Sequence, residues 1–250
     1  MTAHAWTWPD PEVYGDQWAH DYDLLAFVPP DVTRATVATL AELAAGGPVL
    51  EVAAGTGRVA VALAEAGVDV TATDASPKML QRLREKDPAG LVRTRVEALP
   101  KVSGGPYAVI AVLVNSLWVL RTAEEQQRFL ANAAARLTPT GVVVVETSIV
   151  DPRTWSRPKR IDADGLIYHR TSVWDPDTHQ VCHTFHLPAS MQPQRRDVYL
   201  RYLTRDELLG MAAAAGLVPR YEWSAWDRTP FGPDSRLLVA VLQRADPATA

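Results

Sequence analysis

Val49-Leu50-Glu51-Val52-Ala53-Ala54-Gly55-Thr56-Gly57, followed by Arg58, reads as a buried strand that enters a turn of small residues and opens a helix (Arg58 to Ala66). Seventeen residues after Gly57, a second strand (Val68 to Thr73) ends in Asp74. Small residues let backbone approach a ligand closely, and a helix start offers free N–H groups. An acidic side chain at the tip of the following strand can accept both hydroxyls of a ribose. This combination describes a site for a nucleoside cofactor.

The spacing narrows the choice. A pyrophosphate site calls for G-x-G-x-x-G, whereas the order here is Glu51-x-Ala53-x-Gly55-x-Gly57, with Ala60 three residues further on. Glu51 at the strand end would repel a phosphate but suits an ammonium. A cofactor with an amino-acid tail and no phosphate, S-adenosylmethionine (SAM), meets both conditions. The segment resembles motif I of class I SAM-dependent methyltransferases. An NAD-type turn and a chance glycine-rich loop are the competing readings, and the spacing disfavours both.

At 250 residues the chain fits one domain with elaborations. The net charge of -4 carries no basic face, so nucleic acid is not expected as a partner. One cysteine, Cys182, excludes an internal disulfide and suits a reducing compartment. The N-terminus lacks a basic head and an apolar run, and no stretch approaches the ~20 apolar residues of a membrane span. A cytoplasmic protein without a membrane partner is expected. The tail from Ala245 to Ala250 is expected to fray.

Outward from the quoted stretch, strands and helices alternate. Strands are expected at 48–52, 68–73, 91–95, 107–114 and 141–149, and helices at 57–66, 77–86 and 123–137. The runs Val109 to Val114 and Val142 to Val145 are continuously apolar, as in a parallel sheet covered on both faces. The reading is an α/β fold: a doubly wound, mostly parallel, seven-stranded Rossmann-like sheet. An N-terminal helical cap spans 1–45, broken at Pro29-Pro30, with Asp31 as the N-cap of its second helix. The cofactor core spans 46–150. Residues 151–203 lack helical periodicity and read as an inserted antiparallel substrate platform after strand five, with strands at 167–174, 180–187 and 197–203. Residues 204–244 complete the sheet: Thr204 caps a helix that Gly216 stops, and strands follow near 217–226 and 235–243.

Nearly the whole chain is similar to small actinobacterial methyltransferases that act on natural products. The matching stretches are Val13 to Asp23, the loop itself, Asp74 to Leu80, Asn115-Ser116-Leu117, Arg201 to Met211 and Trp226 to Phe231 with Asp234-Ser235-Arg236. The resemblance implies roles. Ala53, Gly55 and Gly57 pack against the methionine part of SAM. Glu51 places its amino group and Arg58 meets its carboxylate. Asp74 takes the ribose hydroxyls, while Ala75 and Met79 flank the adenine. Tyr14 and Trp18 lie on a helix that covers the cofactor, and Asn115 lies between methyl donor and acceptor.

Three residues depart from the family pattern. Ala53 replaces a glycine, and Ala108 replaces an acidic residue. Arg95 replaces an aspartate that contacts the adenine amine; a guanidinium only donates, so Glu97 or the backbone at Val96 must serve.

The expected activity is SAM-dependent methyl transfer to a small molecule, by in-line displacement in a water-excluded aromatic cavity. Tyr14, Asn115 and His183 are the candidate catalytic residues, with His183 as a base. Trp118, Trp155, Trp174, Trp223 and Trp226 are candidates for the aromatic lining, and Asp227 and Arg228 for its polar groups. The run His179-x-x-Cys182-His183-x-x-His186 suggests zinc, but strand periodicity sets His179 and His183 on one face and Cys182 and His186 on the other, so no metal is expected. Two alternatives stay open: a repurposed fold that runs a cyclisation or rearrangement, and a non-catalytic SAM-binding protein. The edges of the inserted strands also give a homodimer a place to form.

Overall fold

The apolar runs form the centre of one sheet. In the structure, a computed structural model that describes residues 6–25, 28–163 and 166–245, β1 (Val49–Val52) lies between β2 (Val70–Asp74) and β4 (Tyr107–Val112), parallel to both. β3 (Arg93–Val96) extends the sheet on one side. β5 (Leu137–Ser148), β11 (Leu237–Arg244) and β10 (Leu217–Trp223) extend it on the other. The order is β3-β2-β1-β4-β5-β11-β10, with β11 antiparallel to both its neighbours. Chain order reverses between β1 and β4, and a crevice opens there beyond the strand ends.

Alternation on the central strands sorts the core into two layers. Leu50, Val52, Ile110, Val143 and Val145 pack with Phe129 and Leu130 of α6 (Ala123–Ala134) and Leu208 of α7 (Arg205–Ala214). Val49, Val109, Val142 and Val144 pack with Leu40 of α3 (Pro30–Ala44), Leu63 of α4 (Arg58–Glu65) and Leu80 of α5 (Pro77–Lys86). The helix starts follow capping chemistry. Ser76 accepts from Met79 N at 3.1 Å with Pro77 in the first turn, and Thr204 forms a reciprocal capping box with Glu207.

The N-terminal cap differs from its expectation. It holds α1 (Pro11–Trp18), a short α2 (Tyr22–Leu25) and α3. Asp31 does not cap α3: Pro29 stands at the N-cap, without a side-chain bond, and Pro30 opens the helix. Proline is pre-set for that position and lacks the N–H that a cap would satisfy. The platform has four strands, β6 (Lys159–Ala163), β7 (Leu166–Asp175), β8 (Gln180–His186) and β9 (Arg195–Arg201), in sequential antiparallel order. β6 was not expected, because its polar, charged sequence hides the alternation that marks a strand. Trp18, Leu25, Met79, Tyr168 and Val198 form a third core that joins the cap, α5 and the platform. Of the tail expected to fray, Ala245 is held by a 2.9 Å bond from its N–H to Gly216 O, and residues 246–250 lie outside the described residues.

Gly57, at the N-cap of α4, has φ 82°. A Cβ there would overlap the Leu83 side chain, so this glycine serves packing as well as conformation. Gly67 has φ 85° with nothing close to an added Cβ. In urea unfolding, Gly57→Ala is expected to lose roughly 2–4 kcal/mol and Gly67→Ala only about 1–2. Equal losses would show that the overlap with Leu83 carries no cost.

Candidate functional site

β2 ends in a buried carboxylate, and that carboxylate shapes the site. Asp74 Oδ2 accepts Gly55 N–H at 2.9 Å, and Oδ1 accepts Ser76 N–H at 2.8 Å. Burial raises its pKa, and the backbone N–H groups of Ser76, Gly55 and Ala75 pull the other way. A carboxylate has about four lone-pair sites, so acceptor capacity is left for a ligand. The loop it fixes has φ 50° at Ala53 and 58° at Gly55. Glycine is favoured at such positions, so Ala53 adopts the left-handed conformation at some cost.

A cavity of about 690 Å³ opens above this loop. Ala53, Gly55, Asp74, Ala75, Met79 and Glu97 line one end. Tyr14 and Trp18 line it from the cap, Asn115 from the tip of β4, and His183 from the platform. Gly57, Arg58, Glu51 and Val96 do not line it. Val96 is exposed, and Arg58 donates to Thr33 Oγ1 at 2.9 Å.

Glu51 sits fully buried behind the loop, and its Oε2 has no hydrogen-bond partner. Burial pushes its pKa up to about 8, against the pull of Arg58. An acid held this way lacks a cation. With the donor-lined loop and Asp74, it fits a ligand that brings an ammonium and a ribose, as SAM does. Gly55 adds room: a Cβ there would meet only the Tyr22 ring, at 3.8 Å.

The departures from the family pattern have local explanations. Arg95 does not line the cavity; its Nη2 donates to Ser103 O at 2.9 Å. Glu97 does line it, with Oε1 accepting Ser103 N–H at 3.1 Å. Burial acts to raise the Glu97 pKa, but the Ser103 hydrogen bonds and Arg95 outweigh it and hold the carboxylate below the usual range. Ala108 lies against Gly47, where even an added Cβ would come within 2.6 Å of the alanine methyl.

Other candidates keep the cavity but change character. The Asn115 amide is occupied: Oδ1 accepts Ser148 N–H at 2.6 Å, and Nδ2 donates to Ser148 Oγ at 3.1 Å. With φ 60° at Asn115 and 49° at Val114, this is a strained turn stitched to β5. Tyr14 is half-buried, and desolvation raises its phenol well above the ordinary range. His183 shares a 2.8 Å hydrogen bond with Ser172 Oγ and meets the Trp155 ring edge-on at 5.0 Å. Burial, with Arg170 adding to it, lowers its pKa to about 3. Such an imidazole is neutral at pH 7 and only weakly basic.

His179 lies in the turn before β8 with φ 58°, stacked on Tyr202 and paired with Glu207 at 3.0 Å. It therefore does not share a strand face with His183. Trp118 and Trp155 line the cavity; Trp174, Trp223 and Trp226 do not. Arg228 instead pairs with Glu42 on the surface, and Asp227 caps Thr229 N–H at 2.9 Å. Sequence reading missed Tyr168, Arg170 and Phe185, which line the platform side. The signal was present in the strand alternation Tyr168-Arg170-Ser172-Trp174, which sets these side chains on one face.

A model of the methyltransferase domain matches residues 49–141. The chain is 31% identical to the CcbJ methyltransferase from Streptomyces caelestis, over 95% of this chain and all of that one, with a TM-score of 0.85. It is 25% identical to the cypemycin N-terminal methyltransferase of a Streptomyces species, over 94% of this chain and 99% of that protein. The SAM-bound structure of CalS10, an amino pentose methyltransferase from Micromonospora echinaspora, shares the fold with a TM-score of 0.65 at 19% identity, over 90% of this chain and 95% of that one.

Two measurements test the placement of the cofactor. Asp74→Ala should weaken S-adenosylhomocysteine binding by ~1.5–3 kcal/mol in calorimetry, since it removes a charged acceptor. Unchanged affinity would refute the ribose assignment. The second measurement concerns Glu51. Its raised pKa keeps it protonated near pH 7 in the free protein, and an ammonium seated beside it lowers that pKa. Binding at pH 7 should therefore release about one proton, seen as a buffer-dependent enthalpy between phosphate and Tris. Glu51→Gln should abolish the buffer dependence, and its survival there would place the ammonium elsewhere.

Proposed function

Since the chain belongs to the class I SAM-dependent methyltransferases, close to those of actinobacterial natural-product pathways, we propose that it methylates an amine nitrogen of a small molecule. The acceptor is held between the cofactor loop and the platform. The observation that carries this reading is the state of the platform face. His183 is neutral and weakly basic, Tyr168 is raised by burial, and Arg170 is cationic. None of the three is ready to take a proton at neutral pH.

An amine that enters as the free base has its lone pair already exposed and needs no base to generate it. A phenol or an alcohol gains most from a base. The relative named for N-terminal methylation supports the same choice.

Bound SAM supplies an electrophilic methyl group. The chain's own residues position and desolvate. Asp74, Glu97 and the loop at Ala53 to Gly55 would hold the nucleoside end, with Glu51 behind the loop at the ammonium. Tyr14 and Trp18 would close the cavity from the cap. Trp155, Tyr168 and Phe185 present aromatic surface that sheds water around an acceptor. His183 offers a hydrogen bond rather than proton transfer. Tyr14 and Asn115 would act by position: a half-buried phenol at the cavity wall, and a turn that fixes the rim.

S-adenosylhomocysteine release with a panel of small amines and the matching alcohols tests the reading, with amines expected to turn over. For an active amine, kcat/KM should rise with pH until it levels at the ammonium pKa of the acceptor. His183→Asn should raise KM and leave that midpoint in place. A limb near pH 6–7 that disappears in His183→Asn would make His183 a base and overturn the argument.

A further inference from the structure

β7 carries a cation into the cavity with nothing to neutralise it. Arg170 lines the platform side, half-buried, and its Nε is shielded from solvent without a hydrogen-bond partner. Among the described residues, no carboxylate lies within ion-pair distance of its guanidinium, and the guanidinium makes no hydrogen bond. Its surroundings explain why this is unusual. The sheet register sets Arg170 beside Phe185 on β8, which is itself beside Arg196 on β9. Arg196 has its own counter-ion, Asp21 of the cap. Asp197 also lines the cavity, but the register puts it on the opposite face of the platform from Arg170, and it is occupied: it accepts from Thr184 Oγ1 at 2.7 Å and pairs with Arg195. Lys159, the register partner of Arg170 on β6, adds a second positive charge to the same face.

A guanidinium kept partly from water without a counter-ion is costly in the free protein. Burial lowers the Arg170 pKa, and its charge in turn depresses that of the nearby His183. Solvent alone would serve a surface arginine, but this one points into the space that the acceptor would fill. The fork of an arginine matches a carboxylate or a phosphate through two parallel hydrogen bonds. We propose that the acceptor carries an oxyanion, a carboxylate or a phosphate, and that Arg170 is the specificity-determining residue that binds it. Tyr168 and Phe185 would flank that group, and His183 would offer a neutral hydrogen bond beside it. This rests on the reading of the cavity as the acceptor site and adds the charge of the acceptor to it.

The test uses the full chain saturated with S-adenosylhomocysteine, and matched probes: benzoate, benzamide and phenyl phosphate. Binding is followed by tryptophan fluorescence, with Trp155 and Trp18 in the cavity wall. Benzoate or phenyl phosphate should bind at least about tenfold more tightly than benzamide, and which of the two is tighter identifies the oxyanion. Arg170→Gln should erase the preference, and Arg170→Lys should keep only part of it because the paired hydrogen bonds are lost. As an independent readout, the His183 ring resonance should titrate at higher pH with the bound oxyanion than without it, because the neighbouring cation is then neutralised. Equal binding of benzoate and benzamide, no binding of any probe up to its solubility, or a preference that survives Arg170→Gln would overturn the proposal. Retained S-adenosylhomocysteine binding in each variant shows that the fold and the cofactor pocket persist. If the wild-type protein fails to bind S-adenosylhomocysteine, the cofactor placement fails instead, and the two failures are told apart.

Discussion

A carboxylate at the end of a buried strand must find donors, and the donors Asp74 finds organise the rest of the site. Gly55 N–H ties the loop after β1 to the end of β2, and Ser76 N–H fixes the start of α5. Ser76 then acts twice: its hydroxyl caps α5 and donates to Asp16 Oδ1 at 2.6 Å. That bond sets α1 against α5, at the one place where a glycine, Gly15, allows so close an approach. The chain of contacts runs from one strand end to the loop after β1, to α5, and on to the helix that carries Tyr14 and Trp18.

The cap is held by three aspartates, each bonded to a different part of the fold. Asp16 meets Ser76 and Lys78 at the start of α5. Asp23 accepts from Thr56 Oγ1 in the cofactor loop at 2.6 Å and pairs with Lys86 at the far end of α5. Asp21 pairs with the fully buried Arg196 of the platform, which also lies over the Trp18 ring at 4.9 Å. A buried ion pair adds little net stability over apolar packing, but it penalises any register that separates its partners. These charge pairs add specificity to the apolar core that joins the cap to α5 and the platform, and the cap bridges the two sides of the cavity.

The sequence made the nucleotide-fold half legible because its signals are local. Continuous apolar runs, a small-residue turn and an acid at a fixed spacing each occupy a short window, and Asp74 and Gly55 are found where the spacing sets them. The platform half was less legible. β6 is polar and charged, so no apolar alternation marks it. His179 falls in a turn with positive φ, which composition does not show, and the strand face assigned to it dissolves. Asn115 was legible as a residue of the rim but not as a stitch to Ser148, because its partner lies on a distant strand. Trp118 and Trp155 line the cavity, whereas Trp223 and Trp226 pack among the residues of the second core layer. An aromatic count says nothing of which side of a strand end a ring takes.

The two ends of the cavity share a physical condition with opposite sign. At the cofactor end Glu51 is an acid without a cation, and burial answers by raising its pKa. At the platform end Arg170 is a cation without an acid, and burial answers by lowering its pKa and that of His183 beside it. The two do not neutralise each other, because Glu51 sits behind the β1 loop and Arg170 on a separate sheet. Neither defect shows in a net charge of -4, which sums over the surface. Both cost the free protein stability, and both would be relieved by a ligand of complementary charge. Glu51 meets that cost by staying protonated in the free protein, and Arg170 by keeping part of its guanidinium in contact with the solvent of the cavity. In a protein only marginally stable overall, a ligand that brings the missing partner would relieve both.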